Sequence, residues 1–209
     1  MSRVLLAIDT SAGTAVAVLV DGKIASELHD ANSMQHAEQI GLQIRQALEV
    51  AKIKSSDVTA VAVGIGPGPF TGLRVGIAAA KMFAEGISAP IYGIGSLEAI
   101  AFAQSLDSPT LVLSDARRSE VYFGLFHEKS KSGVPKVLLG PGVKKLEELE
   151  AELRQLGHNY TTCTAQVSAS SIGFLALAGI ADGTASNSVV ANYLRAPDAV
   201  PAKGKKVSG

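Results

Sequence analysis

Residues 4–24, VLLAIDTSAGTAVAVLVDGKI, decide the architecture. The strongly apolar stretch Arg3 to Ile8 reads as a buried strand. It stops at Asp9, and Asp9-Thr10-Ser11-Ala12-Gly13 is a turn. Thr14 to Val20 returns as a second apolar strand, and Asp21-Gly22 is a hairpin signal leading into Lys23 to Leu28. The same figure recurs at residues 110–127, TLVLSDARRSEVYFGLFH. There a strand ends in Asp115, Ala116-Arg117-Arg118-Ser119 turns, and Glu120 to His127 returns. This internal repeat predicts an α/β chain of two related halves.

The remaining elements fit that frame. In the first half, Ser33 to Ala51 is helical by period, with Met34, Ala37, Ile40, Ile44, Ala47, Leu48 and Ala51 on one side. Val58 to Ile65 is a strand, Phe70 to Glu85 a helix, Pro90 to Gly93 a short strand and Ser96 to Gln104 a helix. In the second half, a polar loop at Lys129 to Pro135 precedes a strand at Lys136 to Leu139 and an amphipathic helix at Val143 to Leu156. A strand at Thr161 to Thr164 and a helix at Ser170 to Ala181 complete it. The division expected is 1–104 and 105–195, with 196–209 a disordered tail.

Bulk composition narrows the classes. Of 209 residues, 47% are hydrophobic and 18% charged, as in a folded globular protein. Lys+Arg and Asp+Glu are both 19, so the chain lacks the basic excess of a dedicated nucleic-acid binder. Any RNA contact is expected to depend on a partner. Cys163 is the single cysteine, which excludes an intrachain disulfide and fits a reducing compartment. The apolar run near Met1 is too short for a secretion signal, and no stretch is long enough to span a membrane. A cytoplasmic location is expected.

A strand–Asp–turn–strand unit is a phosphate grip: its turn offers N–H groups, and its Asp holds a Mg²⁺-bound water. Two such units plus an adenosine site make the ATPase core of the actin, sugar-kinase and heat-shock-chaperone superfamily. Asp9, Thr10 and Ser11 match the first unit, although Asp9 can equally cap its own turn. The second turn carries Arg117 and Arg118 where glycines would let backbone approach a phosphate. Those arginines, with Asp115, are candidates for a partner or anion contact. No late glycine pair marks an adenosine site in 170–183. A competent ATP site is therefore not expected, and no cofactor is assigned.

Residues 64–86, GIGPGPFTGLRVGIAAAKMFAEG, pose a separate question. A Walker loop needs Gly-Lys after its glycine run, which is missing. A dinucleotide fingerprint started at Gly64 meets Pro69, and one started at Gly66 meets Thr71. Pro67 and Pro69 also lack the N–H donors of a phosphate cradle. Gly72, Gly76, Ala80 and Ala84 recur every four residues and form one small-residue ridge. Such a ridge lets another helix approach closely. The stretch thus reads as a docking helix behind a stiff turn carrying Phe70, with Ile40, Ile44 and Leu48 as apolar candidates beside it. The histidines lack zinc-site spacing, so His36 is read as a surface or interface residue. Glu147, Glu148, Glu150 and Glu152 are a solvated face, and no protease constellation is found.

Taken together, IDTSAGTAVAVLVDGKI, HAEQI, GPGPFTGLRVGIAAAK, YGIGSLEAIA, DARRSEVYFGLF and YLR occur in the order seen in the TsaB family, also called YeaZ. The resemblance runs from Val4 to about Arg195. It implies two tandem actin/heat-shock-type, ribonuclease H-like ATPase halves, the second reduced. It further implies a non-catalytic subunit that binds the catalytic transferase TsaD and the ATPase TsaE. That complex installs threonylcarbamoyl on the adenosine beside the anticodon of ANN-decoding tRNAs. Self-association is implied when the transferase is absent, through a surface that includes His36, Ile40, Ile44, Phe70, Thr71, Gly72, Leu73, Arg74, Gly76 and Ala80. The chain departs from the family's GPGSFTGLR at Pro69, and from the usual residues at Gln35-His36-Ala37 and Asn192. An autonomous ATPase or kinase of the same superfamily is the competing reading.

Overall fold

The computed structural model describes residues 3–31, 36–157 and 159–195; the expected tail at 196–209 lies outside them. The first half runs β1 (Val4–Asp9), β2 (Thr14–Val20), β3 (Lys23–Asp30), α1 (His36–Ala51), β4 (Ala60–Gly64), α2 (Phe70–Gly86), β5 (Ile91–Ile94) and α3 (Ser96–Phe102). The second runs β6 (Thr110–Asp115), β7 (Glu120–Lys129), β8 (Pro135–Lys145), α4 (Leu146–Gln155), β9 (Thr161–Cys163) and α5 (Ala169–Asp182).

The strand orders are β3-β2-β1-β4-β5 and β8-β7-β6-β9. In each sheet a three-strand antiparallel meander continues into a parallel strand reached through a helix. The second half repeats the first element for element and stops before an equivalent of β5. This is the reduced α/β repeat that the sequence predicts.

The strands are apolar throughout because both faces of the first sheet are covered. Val4, Leu6 and Ile8 pack with Ile40, Ile44 and Leu48 of α1 and with Ile77, Ala80 and Ala84 of α2. Leu5, Ala7 and Leu19 face the other way, onto Ile172, Leu175 and Ala176 of α5 and Leu97 and Ile100 of α3. The period of two along the strand separates the layers. Helix α5 thus follows the second sheet in sequence yet packs on the first. Glu27 of β3 anchors its start, accepting from Ser170 N at 2.9 Å and from Ser170 Oγ at 2.8 Å. On the far face of the second sheet, Leu149 and Leu153 of α4 cover Leu111, Leu113, Phe123 and Leu125.

Two expectations need correction. The helix expected from Val143 starts at Leu146, because Val143, Lys144 and Lys145 extend β8 opposite Tyr122, Val121 and Glu120. The long-range pairing outweighs a helical period that Glu and Leu alone suggested. The second correction concerns the small-residue ridge. Gly72, Gly76, Ala80 and Ala84 are all buried within the chain, as are Leu73, Ile40, Ile44 and Leu48. A Cβ on Gly76 would stand 2.1 Å from Thr10 Oγ1, and that hydroxyl donates to Gly72 O at 2.8 Å. The N-terminal end of this ridge, at Gly72 and Gly76, therefore admits the β1–β2 turn of the same chain, and Ala80 and Ala84 share the core layer with α1.

Gly76→Ala is expected to lower stability by about 1–3 kcal/mol through overpacking, although Ala exceeds Gly by roughly 1 kcal/mol in helix propensity. Adding Thr10→Ala makes room and should recover part of that loss. A double-mutant cycle by urea denaturation checks this, and strict additivity would refute the contact.

Candidate functional site

The first turn is closed on itself. Asp9 is 1% exposed; its Oδ1 accepts from Ser11 N at 2.8 Å and from Ser11 Oγ at 2.6 Å, and its Oδ2 from Ser96 Oγ at 2.7 Å. A Cβ on Gly64 would lie 1.9 Å from Asp9 Oδ2, so only glycine at the end of β4 admits the carboxylate. Both serine hydroxyls spend their proton on Asp9. Whatever they present to other groups is an oxygen lone pair. Ser96 and Gly64 are partners that sequence reasoning did not find, since neither is near Asp9 in the chain.

The second turn repeats the first bond: Asp115 Oδ1 accepts from Arg117 N at 2.9 Å. Here the carboxylate is exposed, and Arg117 and Arg118 are exposed with it. Arg117, Arg118 and Ser119 have φ of 61°, 52° and 62°, a run of left-handed residues without a glycine. Between the two turns is a cleft of about 440 Å³, lined in part by Ser11, Pro67, Ser96, Leu97, Asp115 and Val121. Its wall is mainly apolar, with Ile100, Leu113, Leu146 and Val167 adding to it. Close by in α3, burial pushes the Glu98 carboxyl above its usual range.

The residues after α5 strap β5 and the start of α2 to the second turn. Gly93 N donates to Ser186 O at 3.0 Å and Asn192 N to Ile65 O at 2.7 Å. Tyr193 then stacks on Phe70, with ring centroids 4.7 Å apart. The Arg74 guanidinium lies 3.7 Å over the Phe70 ring, and its Nε donates to Tyr193 Oη at 3.1 Å. Leu194 packs into the shared core. Arg195 donates to Ala116 O at 2.5 Å and sits 3.6 Å from Glu120. YLR was legible as a motif, but nothing in its letters says that it joins both halves.

Of the expected interface residues, Phe70 and Arg74 meet Tyr193 at this strap, and Thr71 is exposed nearby. Gly72, Leu73, Gly76, Ala80, Ile40 and Ile44 are buried, and the side chain of His36 lies outside the described residues. The surface that α1 and α2 offer is a groove of about 620 Å³ between them, bordered by the expected Ile44 and Leu48 and by Gly41, Arg45, Ala79, Met82 and Phe83. Met82 is 76% exposed there, with Leu42 at 37% and Val50 at 62% elsewhere on α1. No cluster of three or more His, Cys, Asp or Glu able to hold a metal occurs among the described residues. Nor is any helix among them long and apolar enough to cross a membrane.

Residues 30–196 match the family described as "TsaD: tRNA N6-adenosine threonylcarbamoyltransferase". The tRNA threonylcarbamoyladenosine biosynthesis protein TsaB of Bacillus subtilis is 30% identical over 162 residues, covering 74% of this chain and 71% of that protein. The chain belongs to the TsaB (YeaZ) family. The Escherichia coli family member is also 30% identical over 162 residues, covering 76% of this chain and 69% of its own. An uncharacterized protein of Mycobacterium tuberculosis H37Rv is 36% identical over 216 residues, with 96% and 98% covered. YeaZ from Pseudomonas aeruginosa superposes with a TM-score of 0.77 at 23% identity, over 92% of this chain and all of that one; this shows the shared fold.

Asp9→Ala strands the Ser11 N–H and the Ser96 hydroxyl in a buried turn. Stability is expected to fall by about 1–3 kcal/mol, read as a lower urea midpoint at unchanged slope. An unchanged midpoint would mean that Asp9 is not structural.

Proposed function

We propose that this chain is the non-catalytic subunit of a complex that transfers threonylcarbamoyl to the adenosine beside the anticodon of ANN-decoding tRNAs. It docks a TsaD-type transferase through the outer face of α1 and α2, and the same face pairs two copies when the transferase is absent. A TsaE-type ATPase joins the assembly in the cytoplasm, and tRNA is met only within it. The names of the curated relatives place them in this biosynthesis, and the matching family model is that of the transferase itself. A subunit that shares the transferase's fold can pair with it face to face, helix pair against helix pair.

The observation that carries the reading is the α1–α2 groove with Met82 on its edge. An unbranched, exposed apolar side chain beside an apolar groove is suited to insertion into a facing helix pair. Met82→Glu changes only an exposed position, so the melting temperature should hold. Sedimentation should show loss of self-association and at least tenfold weaker pairing with the transferase, because a charge would be buried without a partner. Dimers and heterodimers of unchanged affinity would overturn this docking assignment.

The reading assigns no nucleotide to the chain itself. The hydroxyls at the first turn give their protons to Asp9, and bulky arginines occupy the second turn. A phosphate in the cleft would meet the serine oxygen lone pairs of the first turn and the Asp115 carboxylate of the second. Isothermal titration of the isolated chain with Mg-ATP is expected to give no micromolar binding. Micromolar affinity with steady hydrolysis would establish the autonomous ATPase instead.

A further inference from the structure

We propose that the cleft between the two Asp turns binds a small organic monocation. The ligand class is an arylalkylamine: an apolar body with an ammonium group at one end and an O–H or N–H donor at the other. This site goes beyond the docking reading above and does not depend on it.

The cleft has the make-up of a small-molecule site. Its volume of about 440 Å³ falls in the usual range, and its wall is mainly apolar. Leu97 and Ile100 of α3 line it from the first half, and Leu113 of β6 and Val121 of β7 from the second. An apolar body placed there is removed from water by both halves at once. The polar groups lie at two depths. Ser11 and Ser96 also line the cleft and are only 9% and 2% exposed, so they form its floor. Asp115 is exposed and stands at its rim.

The polarity of the ligand follows from where the protons are. The Ser11 and Ser96 hydroxyls donate to Asp9, at 2.6 and 2.7 Å, so each turns oxygen lone pairs to a ligand. Bonding to the carboxylate polarises both hydroxyls and strengthens them as acceptors. The floor therefore suits a donor. At the rim, Asp115 Oδ1 accepts from Arg117 N at 2.9 Å, and a carboxylate has room for further bonds. It suits a cation, because a charge-assisted bond is roughly twice as strong as a neutral one. Ser114, Thr164 and Gln166 line the cleft too; each both donates and accepts, so they select no sign. Arg117 and Arg118 are exposed on the same turn and outside the lining, and their charge limits the ligand to a single positive centre. An anionic ligand would instead meet Asp115 as a like charge.

The test titrates the full chain with tyramine by isothermal calorimetry. The phenol O–H of tyramine suits the floor and its ammonium the rim. A dissociation constant below about 1 mM is expected. Asp115→Asn keeps an acceptor for Arg117 N and removes the charge, so tyramine should bind at least about tenfold more weakly. The same change should not alter the weaker binding of 4-ethylphenol, which lacks the ammonium. 4-Hydroxyphenylacetate carries a carboxylate in place of the ammonium and should not bind. Ala165→Phe, at an exposed position of the lining, fills the cleft and should abolish tyramine binding at an unchanged melting temperature. If Phe lowers the melting temperature, Ala165→Met is the smaller plug. No tyramine binding at about 1 mM would overturn the proposal. So would equal binding of the carboxylate compound, or an affinity for tyramine unchanged by Asp115→Asn. Undiminished binding in the folded plug variant would place the ligand elsewhere and overturn it as well.

Discussion

A buried carboxylate organises the first half. Asp9 ends β1, and its oxygens gather the β1–β2 turn through Ser11 and α3 through Ser96. The end of β4 must be glycine to let it in. Immediately after it, Thr10 is fully buried and ties the same turn to the backbone of α2. Strand, turn and two helices are thus fixed within two residues. A buried polar group that meets its donors specifies one arrangement, because any alternative leaves those donors unpaired. Ser11 N, Ser11 Oγ and Ser96 Oγ all donate to Asp9.

The second half copies the backbone of this device without its closure. Asp115 makes the equivalent bond to Arg117 N, yet remains exposed, and its turn carries long side chains in left-handed conformations. Its order comes from outside, through Arg195. The segment after α5 therefore completes both halves, pairing with β5, packing on the start of α2 and ending at the β6–β7 turn. Helix α5 reinforces the arrangement by packing on the first sheet. A core shared in this way joins the two repeats, with a cleft of about 440 Å³ left between their Asp turns.

The α1–α2 groove and the cleft occupy different parts of the surface, and α2 borders the groove. Its inner ridge is committed to the sheet and to Thr10, its middle outer face carries Met82, and its first turn carries Phe70 and Arg74. One helix can hold these roles because positions three and four apart share a face while others point away.

The sequence by itself determined the order of strands and helices, the repeat and the family, but cut β8 short at Leu139, ran α3 on to Gln104 and began α4 early at Val143. Those features are local: unbroken apolar runs, a period of 3.6, and the Asp-turn figure written twice. It also marked YLR and the ridge as special without saying why. Tertiary structure alone decided that Gly76 admits Thr10, that Gly64 and Ser96 receive Asp9, that α5 crosses to the first sheet, and that Arg195 clasps a turn 79 positions earlier. A small residue in a helix records only that something approaches closely, and the spacing is the same whether the visitor is a second protein or a buried threonine. Which one arrives depends on how the sheet twists and where the chain returns, and those are set by pairings between residues far apart in sequence.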